Sequence, residues 1–361
     1  MSAPIAVGAE MARNVFDERQ DGCACEVGFK RGKRGMKKHV FRILILTAFI
    51  AATSFQPALS AARKKPIHKP HKPTVEKVVK APIDPPRQIT PWGSSPLSAE
   101  VEATLRPKDS FKECADCPEM VVVPSGTFIM GTPATEIDRY EDEDPVHRVT
   151  IAKPFAVGRF SISFDEWDAC LADGGCNGKR GDDHGFGRGR MPAQGISFEN
   201  AQAYLAWLSK KVGRTYRLPS ESEREYFTRA GTTTPFWFGK TVSERDANYD
   251  ASIPYGDGPR GKRSQGPKPV DYYKPNPFGL YQVHGNIREL TMDCYNKRYT
   301  QDTPSDGTAW LDGDCSKRVV RGGQWDLSAN QIRSGARDEA RVDSEGGFKG
   351  FRVVRDLNAL R

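Results

Sequence analysis

Residues 276–290 read NPFGLYQVHGNIREL, and residues 318–325 read RVVRGGQW. Both belong to a long stretch in which the helical signal has stopped. From Gly231 through Arg355 the chain is rich in Gly, Pro, Asn, Asp and aromatic residues. So long a run without regular elements argues against a compact domain. It becomes intelligible if disulfides, ions and buried aromatics hold irregular loops together, so the fold turns on what this stretch is tied to.

Working outward, two helices precede it. Ser197 can cap a helix whose apolar residues Ala201, Tyr204, Leu205, Leu208 and Val212 recur at three and four, with Gly213 at its end. Ser220 and Glu223 form a capping box, and Tyr226, Phe227 and Ala230 lead to Gly231. A shorter helix is expected over residues 164–171. Residues 120–123, a β-branched run closed by Pro124, read as a strand, as do residues 148–151 and 155–157.

The front of the chain is different. Residues 1–100 carry 17 of the 54 Lys and Arg but only 8 of the 46 Asp and Glu, which leaves 37 against 38 in the rest. The net charge of +8 therefore belongs to the tail, and the remainder is near neutral. A neutral folded part has no phosphate-tracking face, so nucleic acid is not an expected partner. From Met36, MKKHVFRILILTAFIAATSFQPALSAARKK sets Lys37, Lys38 and Arg42 before an apolar run and small residues at Ser60, Ala61 and Ala62. That is the layout of a secretory signal. The expected organisation is residues 1–35 as an upstream extension or misassigned start, 36–61 as signal peptide, 62–112 as a Lys/Pro-rich linker and 113–357 as the domain. The expected location is periplasmic or secreted. The alternative is an N-terminally anchored envelope protein, and membrane contact is expected only if the signal stays uncleaved. His68 and His71 read as solvated linker histidines, and Cys23 and Cys25 precede Met36.

An exported chain meets an oxidising compartment, which makes disulfides the default for Cys114, Cys117, Cys170, Cys176, Cys294 and Cys315. Local spacing favours Cys170 with Cys176 across Asp173-Gly174-Gly175, Cys294 with Cys315 across a loop, and Cys114 with Cys117. The Cys-x-x-Cys could instead be a redox pair or half of a zinc site. No second such pair exists for zinc, and the Pro-rich surroundings do not provide a helix N-terminus for redox work.

Six blocks then resemble one family in order. They are MVVVPSGTFIMGTP at 120–133, EDPVHRVTI at 143–151, RLPSESEREYFTRAG at 217–231, NPFGLYQVHGNIREL at 276–290, RVVRGGQW at 318–325 and GFKGFRVVRD at 347–356. Each is similar to a block of the formylglycine-generating-enzyme, or sulfatase-modifying-factor, family. The resemblance runs over residues 118–357. It implies an irregular α+β fold related to C-type lectins, with low regular secondary structure and a shallow groove that accepts an extended peptide. The family's functions span oxidation of a sulfatase cysteine to formylglycine, periplasmic maturation of peptide siderophores, and non-enzymatic roles in surface assemblies. Fold alone does not choose among them.

In the oxidases of this family a Gly-Gly-Ser-aromatic-x-Cys motif and a second Cys five residues later hold copper(I). Here the frame reads Gly322, Gly323, Gln324, Trp325, Asp326, Leu327, and the second position is Ile332. Aliphatic side chains cannot coordinate copper, so copper is not an expected cofactor and no catalytic residue is assigned. The resemblance makes calcium a candidate cofactor, with Glu289, the carbonyls of Gly285 and Ile287, and Asn248 and Tyr249 as its ligands; the alternative is that Glu289 is simply hydrogen-bonded within a loop. It places Gln324, Trp325, Asp326, Arg333 and Arg337 at the groove floor, for recognition of a polar or carboxylate-bearing peptide. Glu141, Asp142, Glu143 and Asp144 read as a solvated turn, and His284 as a satisfied buried histidine. Two functions remain open: an enzyme acting on an exported peptide or protein without the two thiolates, and a non-catalytic lectin-like module that binds or scaffolds at the envelope.

Overall fold

The structure is a computed structural model that describes residues 86–357. The expected signal segment, Cys23, Cys25, His68 and His71 lie outside the described residues. In chain order the helices are α1 (Ala99–Glu102), α2 (Phe164–Ala172), α3 (Phe198–Val212) and α4 (Glu221–Arg229). The first six strands are β1 (Ser110–Phe111), β2 (Met120–Val123), β3 (Gly126–Met130), β4 (His147–Ile151), β5 (Phe155–Gly158) and β6 (Tyr216–Arg217). They are followed by β7 (Arg288–Tyr295), β8 (Asp314–Arg321), β9 (Arg337–Arg341), β10 (Lys349–Phe351) and β11 (Val354–Asp356).

The helices start and stop where their sequences direct. Ser197 Oγ accepts from Asn200 N at 3.2 Å, and Gly213 closes α3 in the left-handed region at φ 70°. In α4 the Ser220–Glu223 capping box is present, but the left-handed closing residue is Ala230 rather than Gly231. Helix α2 begins with a second capping box, Ser163 with Glu166. Its Trp167 is fully buried and stacks on Tyr204 of α3, ring centres 5.8 Å apart. Burying an aromatic or aliphatic side chain of this size contributes roughly 1.5–3 kcal/mol, so this pair, with Leu205, Leu208, Phe351 and Val353, anchors the main core.

One sheet orders its strands β1-β2-β5-β11-β6, with antiparallel pairing throughout. The last strand, β11, lies between β5 and β6, so Val354 faces Val157 on one side and Arg217 on the other. A second sheet runs β10-β7-β8-β9, and β3 pairs with β4 in a separate hairpin. In the second sheet β10 is parallel to β7, while β7–β8 and β8–β9 are antiparallel. The architecture is the expected irregular α+β class.

Two expectations need correction. The stretch after Gly231 is not devoid of regular structure, because β7 and β8 are eight residues long each. Their pattern hides in the sequence because Glu289, Thr291 and Asp293 are buried among the apolar positions of β7. The folded part also begins before residue 113. Leu97 and Leu105 are buried in the main core, and Ser98 caps α1 by accepting from Val101 N. These apolar residues are isolated in sequence, and only tertiary contact reveals their burial. The three disulfides are Cys114–Cys117, Cys170–Cys176 and Cys294–Cys315, as local spacing favours.

Candidate functional site

Strand β8 is followed directly by Gly322 and Gly323, both with positive φ (90° and 67°). A Cβ on Gly323 would come within 2.5 Å of Ile332 Cγ2 and 2.7 Å of the Gln331 carbonyl oxygen, so only glycine lets the chain turn there. The turn opens one wall of a cleft of about 360 Å³. Leu327, Val320 and Ala336 give this wall its apolar part. Tyr140 and Asp142 come from the acidic turn before β4, and Arg288, Tyr295 and Asp338 come from β7 and β9.

Buried ion pairs hold these walls. Arg337 donates to both oxygens of Glu221, and its remaining nitrogen donates to the carbonyls of Asp142 and Asn296. Arg321 pairs with Glu225, which also accepts from Arg229. Arg333 donates to Glu143 and Glu136. Helix α4 reads ESEREYFTR yet is buried along its whole length, and this network is what makes that tolerable. Glu143 is fully buried. Burial works to raise its pKa, and Arg333 more than offsets this, so the carboxyl sits below its ordinary range.

The predicted groove residues divide. Arg337 lines the cleft, but Arg337 and Arg333 are buried and committed to glutamates, so neither is free to receive a ligand carboxylate. Gln324 and Asp326 bond to each other, Nε2 to Oδ1 at 2.6 Å. Trp325 packs with Phe186 and Phe348 instead of lining the cleft. The solvated-turn reading of residues 141–144 is also corrected, since Glu143 is enclosed by Arg333 and Asp144 is bonded to Arg139. Tyr140, Arg288, Tyr295 and Asp338 also line the cleft and carry no signal of their own in the sequence, whereas Asp142 stands in the acidic run. The four successive acids at 141–144 are the one local signal in the sequence for this wall of the cleft. His284 is buried as expected, with Nδ1 bonded to the Ile332 carbonyl at 2.7 Å and Nε2 accepting from Trp237 N at 3.2 Å.

Residues 106–357 match the family described as sulfatase-modifying factor enzyme 1-like domain, which is well over half of the chain. The chain belongs to this family. The formylglycine-generating enzyme of Mus musculus is 27% identical over 293 residues, covering 66% of this chain and 75% of that one. The inactive C-alpha-formylglycine-generating enzyme 2 of Mus musculus is 27% identical over 244 residues, covering 55% and 76%. Among solved structures, PvdO from Pseudomonas aeruginosa matches with 39% identity and a TM-score of 0.62, over 70% of this chain and 100% of that one.

In the sulfatase-modifying-factor frame the two copper positions fall at Leu327 and Ile332. Leu327 lines the cleft, whereas Ile332 is fully buried beside Gly323 in a core cluster with Phe236 and Tyr255. Neither side chain has a lone pair, so these two positions do not fit copper(I). The expected calcium acid is also differently employed. Glu289 is enclosed by Arg224, Arg352 and Ser161, which donate to both of its oxygens. Burial raises its pKa, but Arg352 and Arg224 prevail and hold it at about 2. A carboxylate that already balances two guanidiniums has little charge to offer a cation, which favours the other reading of Glu289, a carboxylate bonded within the fold. Asn248 bonds through its side chain to Gly266, Asn286 and Ser264, and its carbonyl accepts from Asn286 N. Tyr249 donates to the Val242 carbonyl, and Gly285 N donates to the Gly322 carbonyl. Ile287 is buried beside them. These loops are held by hydrogen bonds among their own residues.

Proposed function

We propose that this sulfatase-modifying-factor domain is exported, and that it binds or acts on a segment of an exported peptide or protein in the cleft beside Leu327, without copper–thiolate oxidation. One observation carries the reading: a cleft opens beside Leu327, while the two positions that would arm it with thiolates are aliphatic, one on its wall and one sealed in the core. Of the activities the family resemblance spans, those left open are maturation of an exported peptide, the siderophore kind included, and non-catalytic binding or scaffolding at the envelope. The signal-like order of residues 36–61 and three disulfides support a periplasmic or secreted location.

The test uses chain recovered from the envelope fraction. Its N-terminus is expected near Ala61 or Ala62, and it should neither bind copper(I) tightly nor convert a Cys-x-Pro-x-Arg peptide in a copper-dependent way. Copper-dependent conversion by the unmodified chain would overturn the proposal, as would protein found only in the cytosol.

A further inference from the structure

The three disulfides differ in their surroundings. Cys170 and Cys176 are both sealed in the main core, and Cys117 is buried beside a half-buried Cys114. In the third bridge the two ends part: Cys315 is exposed, whereas Cys294 is buried on β7. A thiol arriving from solvent therefore meets the Cys315 sulfur, and Cys294 is the end that leaves.

The leaving end has a cation against it. Arg318 of β8 stands opposite Cys294 in the sheet, and its Nη1 donates to Cys294 Sγ at 3.1 Å. The same nitrogen donates to the Met292 carbonyl at 2.8 Å, and the guanidinium lies over the Phe198 ring, 4.3 Å from its centre. Arg318 forms no ion pair among the described residues. Asp293, whose charge it feels, spends its oxygens on the backbone N–H groups of Glu221 and Trp310, at 2.7 and 2.8 Å. A bonded sulfur is a weak acceptor and a thiolate a strong one, so the Arg318 contact gains strength when the S–S bond breaks. A neighbouring cation lowers a thiol's pKa, and a thiol of lower pKa leaves faster.

The sheet does not brace this place. Cys294 faces Arg318 and Tyr295 faces Asp314, so residues 315–317 bulge out of the β7–β8 ladder where the bridge crosses it. Just beyond, the Asn296 carbonyl accepts from Arg337 at 3.0 Å and Tyr299 donates to Glu221 at 3.0 Å. Tyr295 and Arg337 both line the cleft.

We propose that Cys294–Cys315 is a site of thiol–disulfide exchange with a dithiol-bearing partner protein, and that opening it loosens the cleft wall at Tyr295. The partner's thiolate attacks Cys315 Sγ, the S–S bond breaks, and its electron pair leaves on Cys294 as a thiolate held by Arg318. The partner's second thiol then displaces Cys315 from the mixed disulfide. The partner loses two electrons and two protons and becomes a disulfide; the bridge gains the electrons, Cys315 takes one proton and solvent the other. The inference concerns the rate of exchange, whereas the equilibrium strength of the bridge follows from the loop it closes. It does not depend on what the cleft binds.

The experiment treats full-length chain with reduced glutathione under native conditions, quenches with iodoacetamide and maps both labels by mass spectrometry. Glutathione is expected on Cys315 and the alkyl label on Cys294; the reverse pattern, or no adduct at this bridge, overturns the inference. Arg318→Met should slow the opening of this bridge by dithiothreitol roughly fivefold and leave Cys170–Cys176 unchanged, with Arg318→Lys restoring most of the rate. A variant that merely loosens the fold opens every bridge faster, the opposite direction, and equal rates in R318M and the parent overturn the assignment of Arg318. After opening, amide exchange should rise in residues 295–299 and not in α3. No rise, or an equal rise in α3, means that the bridge does not act on the cleft wall, and overturns that part.

Discussion

Arg333 and Glu143, 190 residues apart in the chain, are joined by two hydrogen bonds of 2.8 and 2.5 Å in a fully buried site. This pair ties the loop that leads into β9, residues 330–333, to the acidic turn that carries Tyr140 and Asp142. Removing the charge on one side leaves a buried guanidinium with only Glu136 to balance it. Glu143→Gln is therefore expected to cost about 3 kcal/mol, the low end for a broken buried pair. Denaturant melts measure this. An unchanged midpoint would mean that Glu136 alone suffices, and amide exchange in residues 140–142 should rise if the pair does hold the cleft wall.

His284 gives a prediction about acid. Burial pushes its pKa down to about 3, with the Ile332 carbonyl only partly opposing, so the folded chain keeps this imidazole neutral. The unfolded chain protonates it near 6.5. Its contribution is thus fully present above pH 6.5 and is lost as pH falls from 6.5 toward 3, by up to about 1.4 kcal/mol per pH unit. Glutamine can accept from Trp237 and donate to Ile332 without titrating. His284→Gln should flatten the stability profile between pH 6.5 and 4; a variant with the same slope as the parent refutes the assignment.

The disulfides should rank by the loops they close. Cys294–Cys315 spans a sequence separation of 21, Cys170–Cys176 one of 6 and Cys114–Cys117 one of 3. Loop-closure entropy then makes the loss of Cys294–Cys315 worse than the loss of Cys114–Cys117 by roughly 1.5–2 kcal/mol. The longest loop also contains Tyr299 and Trp310, both buried, so its release exposes apolar surface. Melts of paired Cys→Ala variants check the order, and equal costs would refute it.

What was legible in the sequence was local. Ser197, Ser220 and Gly213 act within a turn of their own positions, so their roles could be read from spacing. The family blocks fixed the frame that sets Leu327 and Ile332 at the thiolate positions. Charged residues were misjudged because their partners are distant: Arg337 looks like a groove ligand until Glu221, 116 residues earlier, is found against it. The partners of Glu289 are hidden for the same reason, since nothing near it in sequence announces Arg352 or Arg224. Asp142 could not be separated from its three acidic neighbours without knowing which of them face arginines.

The position of β11 has a consequence for the timing of folding. Residues 354–356 are the last strand among the described residues, yet they pair with both β5 and β6. Until they arrive, β6 has no strand to pair with and β5 keeps an open edge. A chain still emerging from a ribosome is therefore unable to close this sheet until residues 354–356 have been delivered.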